Sequence, residues 1–196
     1  MTNLTHNEKK ILLLIFKDFK HYYNSNYISK IIGISRVGAM KIFKKLLKEN
    51  IVYAEKIGKS INYKLNLNDD YVRKLMTFLL ADEATNHSRW KNEFKEIFKK
   101  ERIVILFGSI IRNYEAARDI DLMIILNKEE EKDVNKILKE KEKILPKKLH
   151  AIKLTFDEFL DGIRGKNKAT TDIIKNSVIL YGQDKYVEII KNVSGI

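Results

Sequence analysis

The stretch ILFGSIIRNYEAARDIDLMIIL, from Ile105 to Leu126, constrains the fold more than any other part of the chain. Arg102 to Phe107 is a short, mainly apolar run of the kind that makes a buried strand. Gly108-Ser109 breaks it where backbone amides can face a ligand. A polar helical stretch is expected next. Asp119 and Asp121 then straddle Ile120 and lead into LMIIL. In a strand the side chains alternate, so both carboxylates point to one face and Ile120 to the other. Two carboxylates on one face repel each other, and a divalent cation relieves that repulsion. Hard oxygen ligands suit Mg²⁺, which binds one or two carboxylates plus substrate phosphates. Each half of the pattern also has an ordinary use, the acids as caps or lysine partners and Gly-Ser as a turn.

The two halves together resemble the nucleotidyltransferase superfamily of the DNA polymerase beta type, in particular its small prokaryotic members. Gly108, Ser109, Asp119 and Asp121 match that pattern. The family commonly continues x-Ala-Arg-Gly after Gly-Ser. This chain has Ile110, Ile111, Arg112 and Asn113, which keeps the arginine and lacks the second glycine. Further on, HAIKLTFDEFL looks like the family's third strand leading into a helix, and TTDIIKNSVILYG like its closing helix and short strand. The resemblance implies that Ser109 and the amides around Gly108 hold the outer phosphates of a nucleoside triphosphate, with ATP the expected nucleotide and Arg112 an added phosphate contact. It also implies that Asp119 and Asp121 are the catalytic pair and hold Mg²⁺ across those phosphates. A hydroxyl would then attack the α-phosphorus in line.

The family mechanism also uses a third carboxylate on the following strand, and here the chain departs from it. That strand reads Leu149, His150, Ala151, Ile152, Lys153 and Leu154, none of them acidic. Asp157 and Glu158 follow, but Thr155 with Glu158 three residues on is a capping-box pattern that accounts for these acids without catalysis. His150 reads either as a replacement base, since histidine titrates near neutrality, or as a partly exposed structural residue. Lys153 is expected to neutralise the site, which favours binding a nucleotide over transferring it.

The net charge of +12 is unevenly spread: residues 1–70 carry +7 and residues 71–196 carry +5. A basic N-terminus points to a polyanionic partner, although a lysine-rich solvated surface has the same signature. The pattern there is more informative than the charge. Asn7 to Phe19 reads as an amphipathic helix with Ile11, Leu14, Ile15 and Phe19 on one stripe. Ser25 or Asn26 can cap a short second helix, YISKII. Gly33 supplies a tight turn, and Ser35 caps a third helix with Ala39, Ile42, Phe43, Leu46 and Leu47 at core spacing. IVYAEKIGKSINYKLNL alternates about Gly58-Lys59-Ser60, as a hairpin with a cationic tip does.

This order resembles a winged helix-turn-helix domain of the bacterial and archaeal regulator kind over residues 1–67. The resemblance implies double-stranded DNA as partner, with Ser35, Arg36, Val37, Met40 and Lys41 near base edges and Lys44, Lys45, Lys56 and Lys59 at phosphates. It also implies a homodimer. A winged helix used for protein contact has the same pattern.

Residues 68–100 read as a helical linker packing on both domains, and residues 101–196 as the nucleotidyltransferase-like domain. In the linker, Trp90, Phe94, Ile97 and Phe98 share one stripe and are expected in the core, with base stacking the other use of Trp90. NKEEEKDVNKILKEKEKIL reads as a helix with a solvated charged face and a seam at Val134, Ile137, Leu138 and Ile144, ended by Pro146. The fold class expected is α+β: a winged helix-turn-helix followed by an α/β domain with a short mixed sheet.

With no cysteine there is no disulfide, thiolate zinc site or thiol nucleophile. No apolar run approaches the roughly 20 residues of a membrane span, and no signal peptide is visible, so a cytoplasmic protein without membrane contact is expected. Two functions fit. One is a DNA-binding regulator whose second domain binds Mg-nucleotide with weakened catalysis. The other is an active transferase moving a nucleoside monophosphate onto a protein or small molecule, antitoxin-like in the case of a toxin acceptor.

Overall fold

Thr5 and Glu8 open helix α1 (His6–Lys17) with a reciprocal capping box, each side chain closing on the other's backbone N–H. The buried stripe of α1 is Ile11, Leu12, Ile15 and Phe16, not the expected Ile11, Leu14, Ile15 and Phe19. ILLLIF is apolar at six successive positions, so periodicity does not fix its phase, and Phe19 lies beyond the helix end. The computed structural model describes residues 3–165 and 168–194. They fall into two units, Met1–Leu79 with Ile190–Ile196, and Leu80–Ile189.

In the first unit, α2 (Ser25–Ile32) is capped by Asn24, whose side chain accepts the Tyr27 N–H at 2.9 Å. Ser25 and Asn26, expected as caps, are already its first two helical residues, because Asn24 meets the free amides one residue earlier. Gly33 ends α2 in the left-handed conformation, φ 76°, and Ser35 caps α3 (Arg36–Lys48) through the Gly38 N–H. Ala39, Phe43 and Leu46 are buried. Leu47, expected beside them, is 37% exposed, because Leu46 already fills the inward position of that turn. Strands β1 (Val52–Ile57) and β2 (Ser60–Leu65) pair antiparallel with Ile57 opposite Ser60, so the hairpin turns on Gly58 and Lys59 alone. Gly58 takes φ 58° there, which a two-residue turn requires. The Phe43 ring stacks on Tyr63 with centroids 3.9 Å apart, tying α3 to the hairpin. Helix, helix, turn, helix and hairpin are the winged helix-turn-helix order. Helix α4 (Asp70–Thr85) follows, and the division between the units falls within it.

The second unit begins with the end of α4 and α5 (Ser88–Glu93). Trp90, Phe94 and Ile97 are buried in its core, as expected, against Val104, Leu106, Ile120, Leu122 and Ile124. Four strands, β3 (Ile103–Phe107), β4 (Asp119–Ile125), β5 (Lys148–Leu154) and β6 (Ser177–Tyr181), form a mixed sheet in the order β5-β4-β3-β6. β3 is antiparallel to β4 and β6, whereas β5 is parallel to β4. A parallel neighbour needs a crossover, which α6 (Glu131–Ile144) supplies. Its seam is Val134 and Leu138 with Ile137 partly buried. Ile144 sits in the last turn before Pro146 and is 71% exposed, outside that seam. Helices α7 (Phe156–Arg164), α8 (Lys168–Lys175) and α9 (Gln183–Val193) complete the described fold.

Arg102 departs from its reading as part of an apolar run. Its side chain is fully buried, donates to the Ile97 carbonyl at 3.2 Å, and pairs with Glu130 at 2.7 Å. One acid of the charged run at 129–131 is therefore structural rather than solvated.

Candidate functional site

The site is built on the first residues of β4. Ile120 and Leu122 enter the core, so Asp119 and Asp121 emerge together on the other face, both part-exposed. β3 brings Gly108 to them, since Phe107 is in register with Asp121. Gly108 takes φ 82°, and a Cβ there would overlap the Asp121 carboxylate, with Cγ 3.0 Å away. Glycine is thus demanded by conformation and by space. Burial pushes the Asp121 carboxyl above its ordinary range; His150 draws it back down, and the charge of Asp119 adds to the rise.

Ser109 is exposed and opens a 3-10 turn, Ser109–Ile111, with Arg112 exposed at its end. The polar helix expected between Gly-Ser and Asp-x-Asp is absent. Asn113, standing where the family has its second glycine, accepts the N–H groups of Glu115 and Ala116 on its side chain and closes a turn instead. That loop is held from outside. Tyr114 lies between two cations, the Arg89 guanidinium 4.1 Å and the Lys147 ammonium 4.8 Å from its ring centroid. Arg89 also donates to the Tyr114 hydroxyl at 3.0 Å, and Lys147 to the Ala117 carbonyl. None of these contacts was expected, because each joins residues far apart in sequence.

The parallel register of β4 and β5 sets Asp119 beside Lys148 and Asp121 beside His150. His150 Nδ1 is 3.6 Å from Asp121 Oδ1, and the imidazole is 46% exposed. Strand alternation sends Lys153 to the opposite face, where it donates to Asn135 at 2.6 Å and lies 3.6 Å from Glu131. It therefore does not neutralise the site, contrary to expectation. The capping box expected at Thr155 and Glu158 is present and occupies both. Among the described residues, no three His, Cys, Asp or Glu side chains are drawn together as a metal cluster.

On the first unit, Arg36, Val37, Met40, Lys41 and Lys44 are exposed along α3, and Lys56 and Lys59 on the hairpin. A cleft of about 540 Å³ between helix and hairpin is lined by Asn24, Arg36, Met40, Lys59 and Ile61, among others. Two residues expected at DNA are already engaged. The Ser35 hydroxyl accepts the Gly38 N–H, and Lys45 donates to Glu8 and to the Asn3 carbonyl, both at 3.0 Å. Lys45 is thereby withdrawn from the phosphate-facing set. Glu8 is buried. Desolvation raises its carboxyl, but the Thr5 amide and Lys45 outweigh this and hold it below the usual range.

No helix among the described residues is long and apolar enough to cross a membrane. No curated protein matches the chain. Solved structures that match include a cysteine-to-serine mutant of Lactococcus lactis ZitR, at 16% identity over 71% of this chain and 74% of that one, with a TM-score of 0.35. The same mutant in complex with DNA matches at 17% identity over 70% and 73%, with a TM-score of 0.34. Likenesses this loose fix neither fold nor function. The family model described as polymerase beta, nucleotidyltransferase matches residues 92–186, a span that holds Gly108, Ser109, Asp119, Asp121 and His150. Residues 92–186 thus match a nucleotidyltransferase domain of the polymerase beta type, and elements in the winged helix-turn-helix order precede them in the sequence.

Proposed function

We propose that this protein is a DNA-binding regulator whose nucleotidyltransferase domain binds a Mg-nucleotide, ATP foremost, with weakened transfer activity. The observation that carries the second half is the residue beside Asp121 on β5: an imidazole, His150, stands where a third carboxylate would complete the site. Asp119 and Asp121 fit a cation, since they share a face and the charge of Asp119 disfavours that of Asp121. They would hold Mg²⁺, which when bound offsets the charge of the nucleotide phosphates. Exposed Ser109, the amides after Gly108, and Arg112 provide donors for those phosphates. No acidic side chain of β5 is available to take the proton of an attacking hydroxyl.

DNA binding is supported by the exposed Arg36, Lys41, Lys44, Lys56 and Lys59 and by the exposed, uncharged Val37 and Met40 in the first half of α3. Titration with ATP, GTP, CTP and UTP plus Mg²⁺, followed by incubation with labelled nucleotide and cell extract, tests the domain. Binding without label transfer is expected. Efficient transfer that Asp119→Asn and Asp121→Asn abolish would replace this reading with an active transferase acting on a protein or small molecule. Absence of salt-dependent binding to duplex DNA, including the protein's own promoter region, would remove the regulator half.

A further inference from the structure

We infer that the crevice beyond the C-terminal ends of β4 and β5 is a second binding site, and that it takes a free α-amino acid with an aliphatic side chain. The inference goes beyond the nucleotide-binding reading and does not depend on it. β4 and β5 run parallel and close with a last rung, the Leu126 N–H donating to the Leu154 carbonyl at 3.0 Å. The connections that follow separate. α6 packs Val134 and Leu138 with Ile120, Leu122 and Ile124, whereas Phe159 of α7 packs on Tyr186 of α9. Where parallel neighbours send their connections apart, a crevice opens outside the strand ends, and open α/β sheets place ligands there. Here the crevice has a volume of about 310 Å³ and is lined chiefly by Leu126, Lys128, Glu131, Lys153, Leu154 and Glu158. Asp119 and Asp121 stand at the other end of β4.

The wall chemistry selects the ligand. Two ammonium groups face two carboxylates, so the formal charges of the walls cancel and a polyphosphate would meet repulsion as well as attraction. Lys153 donates to Asn135 at 2.6 Å, which leaves it further N–H groups for a ligand carboxylate. The Thr155 amide and hydroxyl, and more weakly the charge of exposed Lys128, hold the Glu158 carboxyl below its usual range, which places Lys128 at the same opening. Glu158 spends Oε2 on that cap. Glu131 is different: its carboxylate is 46% exposed and lies 3.6 Å from Lys153, beyond hydrogen-bond reach, so it is open to an ammonium donor. Lys128 and Lys153 for a carboxylate, Glu131 for an ammonium, and Leu126 with Leu154 for an apolar side chain match the three substituents of an α-amino acid. The volume sits at the low end of the roughly 300–1,000 Å³ of ligand pockets, which suits a molecule of that size.

The test is calorimetric titration of the full chain with L-leucine and L-valine, and with leucinamide and isocaproate, each of which lacks one of the two charges of leucine. Wild-type protein is expected to bind at least one of the two amino acids saturably, in the millimolar range or tighter. Each single-charge analogue should bind at least roughly tenfold more weakly, as should leucine to Glu131→Gln and to Lys128→Ala. Asp121→Asn, at the far end of β4, should bind the amino acid as wild type does. Circular dichroism and thermal unfolding verify that the variants fold. Failure of both amino acids to bind wild-type protein overturns the inference and leaves the nucleotide site untouched. Binding that Glu131→Gln and Lys128→Ala leave unchanged places the ligand elsewhere and overturns it too, and analogues that bind as tightly as leucine overturn the recognition of a zwitterion.

Discussion

Gly108 and Asp121 occupy one another's space: the glycine has no side chain because the carboxylate already fills the volume where one would go. Gly108→Ala must therefore strain a left-handed backbone and displace a site residue at once. It is expected to cost about 1–3 kcal/mol of stability and to weaken nucleotide binding at least tenfold. Gly58→Ala, with a positive φ but open space around it, should cost less and leave nucleotide binding intact. Thermal unfolding and calorimetric titration of the two variants separate these effects.

Asp121→Asn should raise the melting temperature at neutral pH while abolishing cation binding. The folded state raises the Asp121 carboxyl above its unfolded value, so folding favours the protonated acid. The resulting destabilisation is absent below the unfolded pKa, grows as pH rises through the raised one, and is complete at neutrality. The difference in melting temperature between wild type and Asp121→Asn should therefore vanish near pH 3. A difference that persists there points to packing instead.

Lys45→Ala should destabilise the first unit by about 1–3 kcal/mol, since it strips a buried carboxylate of its cation. Glu8 has a lowered pKa in the fold, so its contribution is present above the unfolded value and is lost as pH falls through the folded one. The cost of Lys45→Ala should shrink in acid, and the salt slope of DNA binding should not change.

Lys44→Ala and Lys59→Ala should act on DNA binding without affecting stability. Removing one phosphate-binding charge is expected to reduce the slope of log affinity against log salt by about 0.9. Arg36→Ala with Lys41→Ala should weaken binding further and relax sequence preference. Filter binding or fluorescence anisotropy at several salt concentrations distinguishes the two classes.

Much of the site was legible because its information is local. Alternation alone places Asp119 and Asp121 on one face, and the Thr155 and Glu158 spacing alone specifies a cap. His150 could be named from the sequence but not located, because its neighbour Asp121 is set by strand register. Lys153 shows the converse: three residues from His150 on the same strand, it lies on the other face. The Arg102–Glu130 pair and the Arg89–Tyr114–Lys147 stack were illegible for the same reason, each being a meeting of distant segments. In α1 the limit was different: an unbroken apolar run contains two stripes, and tertiary packing chooses between them.

β4 is also a spacer. Asp119 and Asp121 stand at its start, and Glu129, Glu130 and Glu131 follow its far end. Seven residues of strand put roughly 20 Å between the two acidic groups. That is more than two Debye lengths, about 8 Å each at physiological ionic strength. At that range the acidic run exerts little field on Asp119 and Asp121, so a substitution at exposed Glu129 can retune the surface while the strand's origin stays as it is, whereas Glu130 remains tied to buried Arg102.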